Sequence, residues 1–248
     1  MKTLVQQLEE LSFRAWPALE TRYYDGWVLR FSQGYTRRAN SVNPIYESAE
    51  PLAEKIRACE DLYLRHDLPT VFKITPASQP RHLDTALSEH GYIKDGRVFV
   101  QQMALSDVDA QISADAHIDD APSETWLNNY FRLNGTDRRH YNTMREMLKT
   151  IVPQTAFLSL HHKGSVIAVG LAVHDEGYIG LYDIVTDAPQ RGRGHGHALM
   201  QSLLAWGKMQ GAHHAYLQVS ADNAPALRLY DHLGFREVYQ YWYRQQKG

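Results

Sequence analysis

The chain has 248 residues, 44% of them hydrophobic and 22% charged, with 16 glycines and 10 prolines; this excludes disordered, collagen-like and low-complexity classes. Its 26 basic and 28 acidic side chains leave a net charge of −2, which argues against bulk binding to nucleic acid or an anionic membrane. At roughly 150 residues per domain the length fits one large domain or two small ones, and either can bury a core without disulfide or metal staples.

The total conceals an imbalance. Residues 1–124 carry 13 basic and 19 acidic side chains, and residues 125–248 carry 13 and 9. A phosphorylated ligand is therefore to be sought in the second half. Cys59 is the only cysteine, so no intrachain disulfide or cysteine-based zinc site can form. The opening residues lack the apolar run of a signal peptide. The longest apolar run, Val166 to Val173, is far short of the ~20 residues that span a bilayer. The expected location is cytoplasmic.

In chain order, Leu4, Val5, Leu8 and Leu11 fall at helical spacing and predict a short amphipathic helix over residues 1–13. Gly26 to Phe31 and Tyr35 to Val42 read as two strands of an antiparallel hairpin. A helix after Pro51, a strand Thr70 to Thr75, a helix from Arg81 to His90 and a strand from Arg97 to Leu105 follow. The polar stretch Ser106 to Asp115 reads as a linker, which places one domain at 1–110 and another at 111–248. Beyond it come a helix from Pro122 to Leu133 and a second, capped by Asp137, to Thr150. Ala156 to His161, Val166 to His174 and Tyr178 to Val185 predict an antiparallel meander, with Gly164 and Gly177 in the turns. A helix from Gly196 to Met209, a strand Ala215 to Val219, a helix Ala224 to Leu233 and a strand Val238 to Arg244 complete the pattern. The two halves echo one another in a helix–strand–loop–helix–Gly-aromatic–strand order, and duplication and chance both remain open.

Chemistry concentrates between Asp183 and Leu199. A strand runs into Pro189, then Gly192, Gly194 and Gly196 alternate, then a helix begins. Glycines let backbone N–H groups approach a ligand, and a helix N-terminus adds partial positive charge. Together they make an anion site suited to a pyrophosphate, with Arg191 and Arg193 as fixed charges. The spacing is wrong for the dinucleotide G-x-G-x-x-G, and no Gly-Lys-Ser/Thr is present for a P-loop. A plain strand-to-helix turn is the alternative.

Arg191-Gly192-Arg193-Gly194-His195-Gly196 matches the R-x-x-G-x-G signature of the GNAT acetyltransferase superfamily. About thirty residues on, Asn223 to Phe235 is similar to that family's N-x-x-A-x-x-L-Y-x-x-x-G-F motif. The resemblance covers about residues 115–248. It implies a mixed α/β (α+β) GNAT fold, with a mostly antiparallel central sheet flanked by helices. The Trp27-to-Val42 segment resembles the N-terminal part of bacterial two-unit GNAT proteins, which implies a second, degenerate copy in the first half.

The resemblance also implies roles. Backbone groups of Ile184, Val185 and Thr186 would pair with the pantetheine arm of acetyl-CoA. Amides of Arg191, Gly192, Arg193, Gly194, His195, Gly196 and His197 would cradle its pyrophosphate. Asn223 would hydrogen-bond near the thioester, and Tyr230 would protonate the leaving thiolate. The lesser alternative for Tyr230 is a core aromatic spaced with Leu227 and Leu233. Asp183 is the first candidate for the base, with His174 and a water chain as alternatives. The pairs His161-His162 and His213-His214 cannot share a strand face, so no metal site is expected. The first half lacks the glycine signature and has Leu87 where Tyr230 falls in the repeat. Arg37, Arg38 and Asn40 either face an anionic group or brace the seam between units. Trp126, Tyr130, Phe131 and Tyr141 either wall an acceptor groove or form core.

The expected activity is direct acetyl transfer from acetyl-CoA to a primary amine of a small molecule or to a peptide N-terminus, by a monomer or homodimer, without metal, nucleic acid or membrane. The alternatives are a non-catalytic acyl-CoA-binding sensor and a transferase of another acyl group.

Overall fold

The computed structural model describes residues 2–106 and 108–246; Asp107, within the expected linker, lies outside them. The elements are α1 (Leu4–Ala15), β1 (Glu20–Tyr24), β2 (Trp27–Phe31), β3 (Val42–Asn43), α2 (Leu52–Leu64), β4 (Val71–Ile74), α3 (Leu83–Glu89), β5 (Tyr92–Ala104), β6 (Ala116–Asp119), α4 (Glu124–Asn134), α5 (Tyr141–Lys149), β7 (Gln154–His162), β8 (Ser165–Asp175), β9 (Tyr178–Thr186), α6 (His195–Met209), β10 (His214–Ser220), α7 (Ala224–Leu233) and β11 (Arg236–Gln246). They group into two compact units. One holds the described residues up to Val100, Ser220–Asp222 and those from Val238 on; the other holds Gln101–Val219 and Asn223–Glu237.

In the first unit the strands run in the order β1-β2-β3-β4-β11-β5. Trp27, Leu29, Phe31, Ile56, Cys59, Phe72, Leu83, Leu87 and Tyr92 form one buried cluster. α1 opens on a capping box, with Thr3 accepting from the Gln6 amide and the Gln6 side chain reaching back to Thr3, which closes two otherwise unbonded donors.

The expected hairpin of Gly26–Phe31 with Tyr35–Val42 is not what forms. β2 pairs instead with β1, Tyr24 opposite Trp27, and only Val42 and Asn43 add to its other edge. Residues 32–40 wrap around one side chain. Asn40 accepts from the amides of Ser32 and Gly34 at 2.7 and 3.1 Å and donates to the carbonyls of Tyr35 and Thr36, both at 2.8 Å. Those bonds offer the backbone an alternative to a sheet ladder.

In the second unit the order is β10-β9-β8-β7-β6. The expected meander forms, with β7, β8 and β9 antiparallel. Asp137 caps a short 3-10 turn, Arg138–His140, ahead of α5 rather than α5 itself. β6, the edge strand, pairs antiparallel with β7 and was not foreseen. Residues 108–115 are fastened to the rest of the unit: Lys208 Nζ donates to the Val108 carbonyl, the Ser113 amide to Ser202 Oγ and the His161 amide to the Asp115 carbonyl. α4 and α6 take opposite faces of the meander. Phe157 meets Trp126 of α4 edge-on. Gly170, paired with the next residue Leu158, faces Leu199 and Leu203 of α6, as strand alternation requires. Among the described residues no helix is long and apolar enough to cross a membrane.

Candidate active site

β9 and β10 run parallel and paired only from Tyr178 opposite His214 to Leu181 opposite Leu217. Past that point the two strands part. β9 keeps β8 on its other edge, where Val185 faces Val169 and Thr186 faces Ala168. Between Tyr182 and Val185 the register shifts by one residue, a bulge that bends a strand and re-aims its backbone. Asp183 sits in that bulge with φ +52°. The result is a strand, Tyr182–Thr186, with one ladder edge unoccupied by β10.

The chain then turns through a 3-10 step, Ala188–Gln190, into the glycines. Gly192 and Gly194 take φ of +73° and +84°, a region costly for a residue with a Cβ. Nothing stands within 4 Å on the Cβ side of either. Gly194 is the N-cap of α6 and no side chain caps that end. The first four amides of a helix have no intrahelical acceptor, so those of His195, Gly196 and His197 face outward with the positive end of the helix dipole behind them. Arg193 is exposed and has no ion-pair partner among the described residues; the Arg191 Nε donates to the Thr186 carbonyl at 3.2 Å.

Gly196 draws the parts together. A Cβ there would lie 3.4 Å from Leu229 of α7 and 3.5 Å from Thr186 Oγ1 of β9. The open strand end, the glycine turn and α7 therefore meet at one place. Tyr230, the next residue on α7, is buried and lies edge-on to Phe235 at 5.9 Å. Burial pushes its hydroxyl up to about 12. Asn223 is the N-cap of α7, its Oδ1 accepting from the Ala226 amide at 3.2 Å, which turns its amide nitrogen to a ligand as a donor.

Other candidates fall elsewhere. His174 pairs with Ile179 and Gln154 at the far end of β9, four residues from Asp183 and thus roughly 13 Å along the strand. His162 meets His195 at 5.6 Å, whereas His161 lies on the α4 face; among the described residues no group of three or more His, Cys, Asp or Glu side chains could hold a metal. Trp126, Tyr130 and Phe131 are buried. Trp126 stacks on Tyr130 at 5.7 Å and its indole N–H donates to Leu158, so these rings are core. Arg37 pairs with Asp95 and lies 4.5 Å from the Tyr243 ring centre.

Sequence reasoning missed a tyrosine pair where the strands part. The hydroxyls of Tyr182 and Tyr216 are 3.0 Å apart and buried. A Cβ on Gly180 would lie 2.6 Å from Tyr216 Oη and 2.7 Å from Tyr182 Cε2. The glycine in the middle of Tyr178-Ile179-Gly180-Leu181-Tyr182 was the available signal, since strand glycines mark close approaches.

The comparisons with known proteins agree with this site: the chain is an N-acetyltransferase of the GNAT superfamily. More particularly, the chain belongs to the family described as the C-terminal region of the probable histone acetyltransferase Rv0428c, whose sequence pattern matches residues 3–244. It is 29% identical over 245 residues to the uncharacterized N-acetyltransferase YobR of Bacillus subtilis, covering 97% of this chain and 98% of that protein. It is 26% identical over 235 residues to the probable histone acetyltransferase Rv0428c of Mycobacterium tuberculosis, covering 94% of this chain and 70% of that one. Among solved structures, a GCN5-related N-acetyltransferase from Kribbella flavida superposes with a TM-score of 0.72 at 14% identity, covering 100% of this chain and 97% of that one. A tandem GNAT protein from the clavulanic acid biosynthesis pathway gives 0.64 at 12% identity, covering 97% and 88%. The protein is an acyltransferase of the GNAT type.

Proposed function

We propose that the protein transfers an acetyl group from acetyl-CoA directly to a primary amine of a small molecule or to a peptide N-terminus. The observation that carries this reading is the convergence, around Gly196, of the open end of β9 and the uncapped glycine turn of α6. Acetyl-CoA supplies the acetyl group, activated as a thioester. The residues fit its parts. Amides from Gly192 to His197, with Arg193, suit a pyrophosphate. The unpaired edge of Ile184, Val185 and Thr186 suits an extended arm bearing amides, received as an added strand.

In this reading a backbone N–H of the parted strand faces the reacting carbonyl and stabilises the charge that develops on its oxygen. Tyr230 holds its proton far above neutral pH because it is buried, and releases it only to the departing sulfur. Asp183, half-buried in the bulge, takes the proton of the attacking amine. Residues 111–248 carry this chemistry, while the first half is a GNAT-like unit with Leu87 where Tyr230 would stand.

The test mixes the protein with acetyl-CoA and a panel of polyamines, aminoglycosides and peptides with free N-termini, following free thiol and acetylated product by mass spectrometry. Thiol release that depends on one class of amine is expected. Saturable binding of acetyl-CoA with no acceptor-dependent release from any member would favour the sensor instead.

A further inference from the structure

On the α4 face of the second unit, a pocket of about 420 Å³ opens over the β6–β7 edge, where Trp126 and Val166 supply apolar surface and His117, Asp119, Ser123, Thr125, Ser159 and His161 supply polar groups. Its volume falls in the usual range for small-molecule sites. The strands place its residues deliberately. His117 pairs with Ser159 across the ladder and Asp119 with Phe157, so His117, Asp119, Ser159 and His161 share one face. None of the roles assigned above uses any of them.

The bonding inside the pocket divides its groups into two sets. Asp119 is fully engaged: one oxygen lies 3.0 Å from His117 Nε2, and the other accepts from the Ser123 hydroxyl at 3.0 Å. Ser123 in turn accepts from the Trp126 amide at 3.1 Å. Ser159 is different. It is only 4% exposed, yet among the described residues its hydroxyl has no hydrogen-bond partner. The hydroxyl therefore stands open to whatever occupies the cavity that Ser159 lines. Thr125, His161 and His117 line the same space, and no hydrogen bond of the Thr125 hydroxyl, the His161 ring or His117 Nδ1 is made among the described residues. Val166 adds an apolar wall.

We infer that this pocket binds a small uncharged polyol, open-chain or cyclic. The Asp119 carboxylate repels an anion, and its bonds to His117 and Ser123 engage both of its oxygens against a cation. The remaining groups are hydroxyls and imidazoles, each able to donate or accept. Closely spaced hydroxyls on a ligand match such a set, and Val166 packs against their carbons.

The experiment follows the ring signals of His117 and His161 by NMR in the intact protein, without acetyl-CoA, during titration with myo-inositol and D-glucose. Inorganic phosphate and putrescine serve as the anionic and cationic arms. Saturable shifts of both rings with a polyol are expected, and Ser159→Ala should weaken that binding about 10-fold, the loss of one hydrogen bond. If Ser159→Ala does not fold, Thr125→Val on the exposed end of α4 serves in its place with the same expectation. No saturable shift with either polyol, a response only to phosphate or putrescine, or undiminished polyol binding in the folded variant would overturn the inference.

Discussion

In the first unit, Glu9, Arg30, Lys55 and Lys73 all lie buried; in the second, the buried polar side chains among the described residues are Gln101, Thr143, Ser159 and Ser202, none of them charged. The buried charges are answered from within. Lys73 Nζ lies 2.8 and 2.6 Å from the two oxygens of Glu9, and the Tyr239 hydroxyl donates to the same carboxylate at 2.6 Å. Lys55 bonds Asp25 at 3.0 Å and stands 4.1 Å over the Trp27 ring. The second unit instead keeps an apolar core and leaves polar backbone groups outward, at the end of β9 and the start of α6. A scaffold that satisfies its polar groups internally has none left to offer; one that leaves helix amides and a strand edge open offers an anion site and a docking edge at once.

Four experiments would break or sharpen that contrast. The largest effect is expected from Lys73→Met, which leaves the Glu9 carboxylate buried without its cation and should cost the first unit about 3–5 kcal/mol. Urea unfolding read by hydrogen exchange in β4 against β8 would measure it, and equal losses in both units would erase the distinction. In the second unit, Tyr230→Phe should lower turnover by about 100-fold, the lower range for a general acid, while the dissociation constant of CoA stays within error. Unchanged turnover would return Tyr230 to the core. Gly194→Ala should be smaller, because forcing a Cβ into the left-handed region costs about 1–2 kcal/mol. With nothing packed within 4 Å of that position, the free turn can relax and shed the strain, so the cost returns when CoA demands the native turn: binding weakens about 10-fold, read by calorimetry, and an unchanged affinity would show that the strain is borne by the fold instead.

The smallest effect is alkaline. Burial raises Cys59 from 9.0 to about 12 and holds Tyr63, Tyr92, Tyr241 and Tyr243 above the ordinary tyrosine range. These groups stay protonated in the fold after the unfolded chain has begun to ionise, so the native state then binds more protons. Their contribution is complete below pH 9 and declines as pH rises beyond the ordinary values. In the second unit burial holds the Tyr230 hydroxyl up in the same way. Thermal melts between neutral pH and about pH 11 should therefore show stability falling as pH passes the ordinary cysteine and tyrosine values, and a flat profile would remove these groups from the balance.

The second unit was the more legible in sequence. Its meander and its helices carry long, clean periods, and the α7 limits, Ala224 to Leu233, agree with the structure residue for residue. The glycine turn was legible because left-handed backbone leaves few choices of residue. What escaped was set by side-chain contacts and by short edge strands, which leave no period in the sequence. Residues 35–42 alternate like a strand, but the Asn40 side chain recruits their backbone into a loop. β1 and β6 are edge strands of five and four residues, too short and too polar to show a period. The Tyr182–Tyr216 contact joins residues 34 apart, and no local pattern announces it.

The final strand bears on how the chain comes to be folded. β11 pairs along β4, Trp242 opposite Ile74 through Gln245 opposite Val71, so the sheet of the first unit is closed by almost the last residues of the sequence. On a ribosome, the half that is made first is therefore finished last. Until then the ladder groups of β4 wait unpaired, an edge open to wrong partners. Truncation of residues 237–248 should accordingly harm the beginning of the protein more than α7, the helix nearest the cut.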